Sequence, residues 1–421
     1  MQLGRAVPIR STLATLTAAL LGAGVAGAAN LGESETSVLI YSESNRVSAT
    51  ELMFNMDRHI GGPWSFGLKL TYDGLTGATP TGAAPSKNTQ TISRPSGGSD
   101  IVVQAGELPL DHNFKDARFA VDGSLSRTFG RMTSLSLGGH ASGERDYSSF
   151  GVNGGLTRDL NNKNTTVGIT GSYSHDVVSP IGGIGLPFTS PDSSYPWLPA
   201  ASLNKEVYDY VVSLTQILNQ QTVFRANFSF DQASGYLNDP YKVLSVVQDP
   251  GSPDAGEPIE NLHENRPDFR IKRAVFSELR RYLWGHSIDL SYRYFWDTWG
   301  IKSHTVDIVF QYHLEGGSSF QPHIRWYRQS KADFFRPFLV QGVSLPTFAS
   351  SDSRLAKFDA FTIGLKYLFS VSDDSRLAIS AEYYLQRGDG SPPEAFGTQR
   401  QYNLFPVLDA IMLRVSLLHD L

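Results

Sequence analysis

Stretch after stretch of this chain alternates apolar with polar residues. That two-residue period constrains the chain more than any other feature, because successive side chains of an extended strand point to opposite faces. From 359 to 369, Phe361, Ile363, Leu365, Tyr367 and Phe369 share one face, while Thr362, Gly364 and Lys366 share the other. The same division sets Phe224, Ala226, Phe228 and Phe230 against Arg225, Asn227, Ser229 and Asp231. It sets Ile288, Leu290, Tyr292, Tyr294 and Trp296 against Asp289, Ser291, Arg293 and Asp297, and Ile411, Leu413, Val415 and Leu417 against Met412, Arg414 and Ser416. No segment sustains a helical period. The pattern predicts sixteen strands, at about 35–43, 46–58, 63–74, 115–128, 132–145, 148–159, 164–176, 206–217, 221–234, 266–282, 286–298, 302–314, 318–332, 355–369, 375–387 and 407–420.

The connections decide how these strands are arranged. Every second one is a tight turn, at Gly61-Gly62, Gly130-Arg131, Asn161-Asn162, Asn219-Gln220, Trp284-Gly285, Gly316-Gly317 and Asp373-Asp374. Five of the others are long, at about 75–114, 177–205, 235–265, 333–354 and 388–406. Short turns at one end, long loops at the other and an even strand count are the plan of an all-β, antiparallel, up-and-down transmembrane barrel of about 16 strands. Strands of about 12 to 15 residues also exceed the roughly 5 to 6 usual in soluble sheets and suit a tilted bilayer crossing. Trp64, Tyr72, Trp296, Trp299 and Trp326, at strand ends, would form the interfacial girdles. A soluble sandwich pair or a propeller is the alternative, but no blade-length repeat is present, and such a fold would bury the aromatic face.

Two places fit the alternation poorly. The apolar phase changes between Ala49 and Leu52, which reads as a bulge near Thr50 and Glu51. Arg273 falls on the face of Ile271 and Val275, which leaves that strand's register open.

At the N-terminus, Arg5 and Arg10 precede an apolar run over about 13–25, followed by Ala26-Gly27-Ala28. This is the pattern of a cleaved secretory signal over 1–28, with the barrel occupying 29–421. No later run offers the roughly 18 consecutive apolar residues of a membrane helix. The absence of cysteine excludes disulfides, thiolate metal sites, thioether-bound haem and thiol nucleophiles. With 36 basic and 41 acidic residues, the formal charge of −5 gives no sign of a nucleic-acid binder.

If the apolar faces meet lipid, the lumen receives Arg225, Asp231, Asp289, Arg293, Asp307, Arg325, Lys366 and Arg414, together with Lys69, Asp122, His140, Gln311, His313, His323 and Glu382. A dry core could not hold so many unpaired charges. These side chains either line an aqueous path or pair across the lumen and brace the wall, and their mixed signs predict weak ion selectivity. Charges also gather where strands reach the long loops: Glu43, Arg46, Asp73, Asp116, Glu144, Arg145, Asp146, Asp239 and Asp297, with Arg118, Asp176, Lys302, Lys331 and Arg354 nearby. A rim network of ion pairs is the simplest account. Hard oxygen ligands for a divalent cation, or for lipopolysaccharide bridged by one, are an alternative. For catalysis the one pair to nominate is His304 near Asp297. Ser202 to Lys205 has the serine–lysine spacing of penicillin-binding enzymes but leads into a strand, and Asn164-Thr165-Thr166 lies at a short turn. No catalytic, cofactor-binding or metal-binding residue is assigned, and the chain is not read as an enzyme.

Several rim segments carry a resemblance. They include 41–47 (YSESNRV), 72–78 (YDGLTGA), 144–149 (ERDYSS), 235–242 (GYLNDPYK), 292–300 (YRYFWDTWG), 303–305 (SHT) and 329–335 (QSKADFF). In order and spacing this set resembles Domain of Unknown Function 3570, a family of Gram-negative outer-membrane proteins. The resemblance implies an outer-membrane location and an association with small lipoproteins, thioredoxin-like proteins and flavin transferases. Any flavin or haem would then belong to a periplasmic partner. The terminal His419-Asp420-Leu421 lacks the final aromatic usual in such barrels. Nearly all of these segments fall on the long-loop end, so the rim is expected to fix the loops as a cap over the lumen. Two functions follow: a narrow or loop-capped porin-like channel for small solutes or ions, or a barrel that scaffolds a periplasmic redox partner. Outer-membrane lipid and lipopolysaccharide are expected contacts. The solute, the loop conformation and the oligomeric state, a homotrimer included, stay open.

Overall fold

The computed structural model describes residues 32–92, 100–191 and 202–421. The expected leader at 1–28 lies outside the described residues. Sixteen strands close into one antiparallel barrel. They are β1 (Gly32–Glu43), β2 (Val47–Gly61), β3 (Trp64–Pro80), β4 (Leu110–Phe129), β5 (Thr133–Gly143), β6 (Tyr147–Leu160), β7 (Thr165–Val178) and β8 (Leu203–Asn219), then β9 (Thr222–Gly235), β10 (Phe269–Leu283), β11 (His286–Asp297), β12 (Lys302–His313), β13 (Ser319–Gln329), β14 (Phe358–Ser372), β15 (Ser375–Gly388) and β16 (Leu408–Asp420). Each pairs with its sequence neighbour, and β16 returns to β1, with Ser37 opposite Ser416 and Tyr41 opposite Met412. Every predicted strand is present and the seven tight turns lie together at one end. The side chains that alternate outward are apolar and uncovered: Phe150 is 66% exposed and Leu137 62%. Only a non-aqueous surround stabilises such a wall.

The strands differ from expectation at the long-loop end. Pairing of β3 with β4 continues to Thr79 opposite Asp111 and Pro80 opposite Leu110, so 75–80 and 110–114 are strand and not loop. The expected bulge at Thr50 and Glu51 is absent: β1 and β2 pair without interruption, Leu39 opposite Glu51 and Ile40 opposite Thr50. Val47 and Ala49 instead face inward, where Ala49 joins Tyr41, Leu408 and Ala410 in a buried cluster. The apolar phase changes because the inside of the mouth is itself a protein core. Arg273 keeps the register its neighbours imply, between Phe230 and Trp296 on the outer face, with its guanidinium carbon 5.8 Å from the Phe230 ring. Trp64, Tyr72, Trp296 and Trp326 lie on the wall as expected. Trp299 does not: it is 4% exposed, folded inward with its indole N–H bonded to the Phe269 carbonyl at 3.1 Å.

The long loops form a folded layer over this mouth. Residues 243–247 pair antiparallel with 258–263 and parallel with 339–340, while 90–92 pair with 101–103. Val243, Leu244 and Val247 are fully buried, and each such side chain contributes about 1.5–3 kcal/mol. Hydrogen bonds knit loop to loop: Ala84 N–H to Ser245 Oγ at 2.8 Å, Gln399 Nε2 to the Pro85 carbonyl at 2.8 Å, and Phe188 N–H to the His263 carbonyl at 3.1 Å. Gly82 has φ +93°, and a Cβ there would meet the Val243 carbonyl oxygen at 2.4 Å, so only glycine permits that approach.

Candidate functional site: a cavity under the cap

Beneath the cap lies a cavity of about 390 Å³, within the range of small-molecule sites. Its ceiling is the loop over 236–241 with Arg266, Asp352, Arg354 and Leu355, and its walls are inward-facing residues of β4 to β13. The ceiling is clamped by a buried ion network. Arg266 lies 2.9 Å from Asp352 and 2.5 Å from Glu264, and Arg354 bonds both Asp352 and, at 2.5 Å, Asp239. Asp352 and Glu264 are each 2% exposed. Burial alone would push the Asp352 carboxyl up, but Arg354 and Arg266 hold it well below the usual carboxylate range. Burial pushes Glu264 up, with Arg266 opposing, and pushes the Lys242 ammonium down.

The rim residues named from sequence take varied places. Asp239 is in this network. Glu43 accepts from the Tyr41 hydroxyl at 2.8 Å and lies 3.7 Å from Arg46. Asp73 accepts from Arg118 at 2.7 Å. Asp116, Glu144 and Asp146 bring carboxylate oxygens within 4.8 Å of one another, and the Tyr241 hydroxyl donates to Asp146. Arg145 is exposed. Asp297 accepts from Arg270 at 2.9 Å and from the backbone N–H groups of Trp299 and Ile301 at 3.0 and 2.9 Å. His304 is not its partner. The two alternate to opposite faces of the wall, and His304 bonds the Tyr292 hydroxyl at 2.7 Å.

Most lumen charges pair along the wall, between adjacent strands, instead of across the lumen. Arg280 meets Asp289 at 2.6 Å, Lys272 meets Asp231 at 3.0 Å, and Arg225 meets Glu278 at 3.4 Å. His323 bridges Asp307 at 3.2 Å and Glu382 at 3.1 Å, with Arg325 3.9 Å from Asp307, and His140 meets Asp122 at 2.7 Å. Lys366 and Arg414 alternate to the inward face of β14 and β16, where Arg414 is exposed. Glu264, Arg266 and Asp352 escaped the sequence reading: Glu264 and Asp352 lie in aperiodic loops, Arg266, expected in a strand at 266–282, precedes β10, which starts at Phe269, and the three meet only through the fold.

The cap also contains a titrating group. His263, 5% exposed, is pushed by burial from 6.5 down to about 4. An unfolded cap would therefore take up a proton between pH 6.5 and about 4 that the folded cap refuses, so this residue's stabilisation is full above 6.5 and is lost as pH falls through that window. The loss reaches about 3 kcal/mol. Loop proteolysis at pH 4.5 relative to pH 7.5 is expected to rise in the wild type and to rise less in His263→Phe; equal acid sensitivity in both would remove the assignment.

The fold and site together define a closed antiparallel barrel of 16 strands, apolar outside and polar within, whose mouth is capped by its own loops. The chain belongs to the family described as "Protein of unknown function (DUF3570)", which matches residues 11–419. No curated protein matches it. Similar solved structures include a bacterial polysaccharide outer membrane secretin, at 8% identity over 94% of this chain and 100% of that one, TM-score 0.47. The siderophore receptor PirA from Acinetobacter baumannii is similar at 10% identity over 86% and 53%, TM-score 0.42. A ferric enterobactin receptor PfeA mutant from Pseudomonas aeruginosa is similar at 11% over 92% and 60%, TM-score 0.45. The chain thus spans 53–60% of the length of these two receptors.

Proposed function

We propose that this protein is an outer-membrane barrel of a Gram-negative bacterium that passes small solutes or ions by a narrow, loop-capped route, with its short turns in the periplasm and its long loops outside. The observation that carries this reading is the folded cap. A barrel of about 16 strands is wide enough for an aqueous channel, yet here five loops with their own apolar core and a buried ion network close the mouth over a 390 Å³ cavity. A large open pore does not fit that mouth. The polar inward face and its accessible Arg414 and Lys366 fit a wet lumen below it.

Planar-bilayer conductance of the purified barrel tests this, with a heat-modifiability gel confirming its fold. Small discrete steps are expected, enlarged when the ion network is broken. A folded barrel that stays silent both with and without an intact network would refute passage and turn attention to a periplasmic redox partner held by the barrel.

A further inference from the structure

Six cationic side chains on the cavity surface, Arg118, Lys205, Arg266, Arg270, Lys272 and Arg354, each hold a carboxylate. Arg293 is different. It lines the same cavity, faces inward from the middle of β11, and forms no ion pair with any carboxylate among the described residues. Its ionisable neighbours are the Tyr327 hydroxyl and a second guanidinium, Arg325, which repels it.

The strand register shows what surrounds it. Residues directly opposite in an antiparallel pair share a face, so Phe276, Arg293, Thr305 and Tyr327 form one inward row across β10 to β13. The next row towards the cap is Ala274, Phe295, Ser303 and Gln329, and Phe295 is buried with its ring centroid 5.6 Å from the Arg293 guanidinium carbon. Above Phe295 the cap supplies Trp299, Ile301 and Leu355. An uncompensated guanidinium thus sits among aromatic rings at the wall of a cavity of small-molecule size. A carboxylate would meet it in bidentate fashion, while the Tyr327 hydroxyl in the same row donates to Gln329 Oε1 at 2.7 Å and leaves recognition of the anion to the guanidinium. The rings beside it suit a flat apolar body better than a hydrated inorganic ion, which would have to shed water against them.

We infer that Arg293 is the anion subsite of this cavity and selects small organic carboxylates with an aromatic or otherwise apolar body. The site deepens the transport reading and rests on it only for how the ligand arrives.

The test is calorimetric titration of the folded, detergent-solubilised barrel with benzoate, beside its neutral amide, benzamide. Saturable benzoate binding is expected, at least tenfold tighter than benzamide. In Arg293→Gln the benzoate affinity should fall at least tenfold with benzamide unchanged, and Arg293→Lys should recover part of the loss. Equal affinities for the two probes, no saturable benzoate binding, or an unchanged Arg293→Gln would overturn the proposal, provided heat-modifiability shows each variant folded. Binding in detergent does not depend on conduction. A silent barrel that binds benzoate would sink the channel and leave the site, whereas a conducting barrel blind to benzoate would do the reverse.

Discussion

Replacing Asp352 with alanine is expected to loosen the cap by about 3 kcal/mol, roughly a hundredfold in its closed-to-open ratio, without unfolding the barrel. The carboxylate is 2% exposed and serves Arg266 and Arg354 at once, and it also accepts from the Arg354 backbone N–H at 3.0 Å. Its removal leaves two guanidinium groups in the ceiling with one carboxylate fewer, Glu264 and Asp239 remaining. Breaking a buried pair costs far more than its net contribution, because the abandoned charge stays desolvated. Asp352→Asn keeps an acceptor of the same shape and should fall between wild type and alanine. Proteolysis of the long loops in intact membranes measures the effect, and single-channel conductance should rise with it. Cleavage rates indistinguishable from wild type would mean the network does not hold the cap.

A second large effect is expected at Asp297→Ala, at about 2–4 kcal/mol, confined to the turn after β11 and the cap that rests on it. One carboxylate oxygen caps the N–H groups of Trp299 and Ile301, and the other holds Arg270. Without it two backbone donors and a buried guanidinium lose their acceptor. Trp299 then loses the turn that packs it edge-on to Phe334 at 5.1 Å. Hydrogen exchange at 298–301 should accelerate, with the strands below unaffected. Asp297→Asn retains the acceptor oxygen for the turn and gives up the ion pair, so protection there should largely survive. If alanine and asparagine behave alike, the ion pair with Arg270 is the dominant role and the turn cap is minor.

The wall was legible in the sequence because its causes are local. Side chains alternate with a period fixed by backbone geometry, and turns such as Asn161-Asn162 and Gly61-Gly62 take up the positive φ those corners require. Partners were not legible. Asp297 is close to His304 in sequence, yet parity sends the two to opposite faces, and its cation is Arg270, 27 residues upstream. Asp239 and Arg354 lie 115 residues apart and are joined only when two loops fold over one mouth.

By itself, then, the sequence determined a barrel of sixteen strands, its two unlike ends and which face of each strand is apolar. Tertiary structure alone decided that the mouth has a core of its own. Val47, Ala49 and Trp299 depart from the expected pattern because burial depends on what packs above a residue, and no periodicity along one strand encodes the loop that covers it.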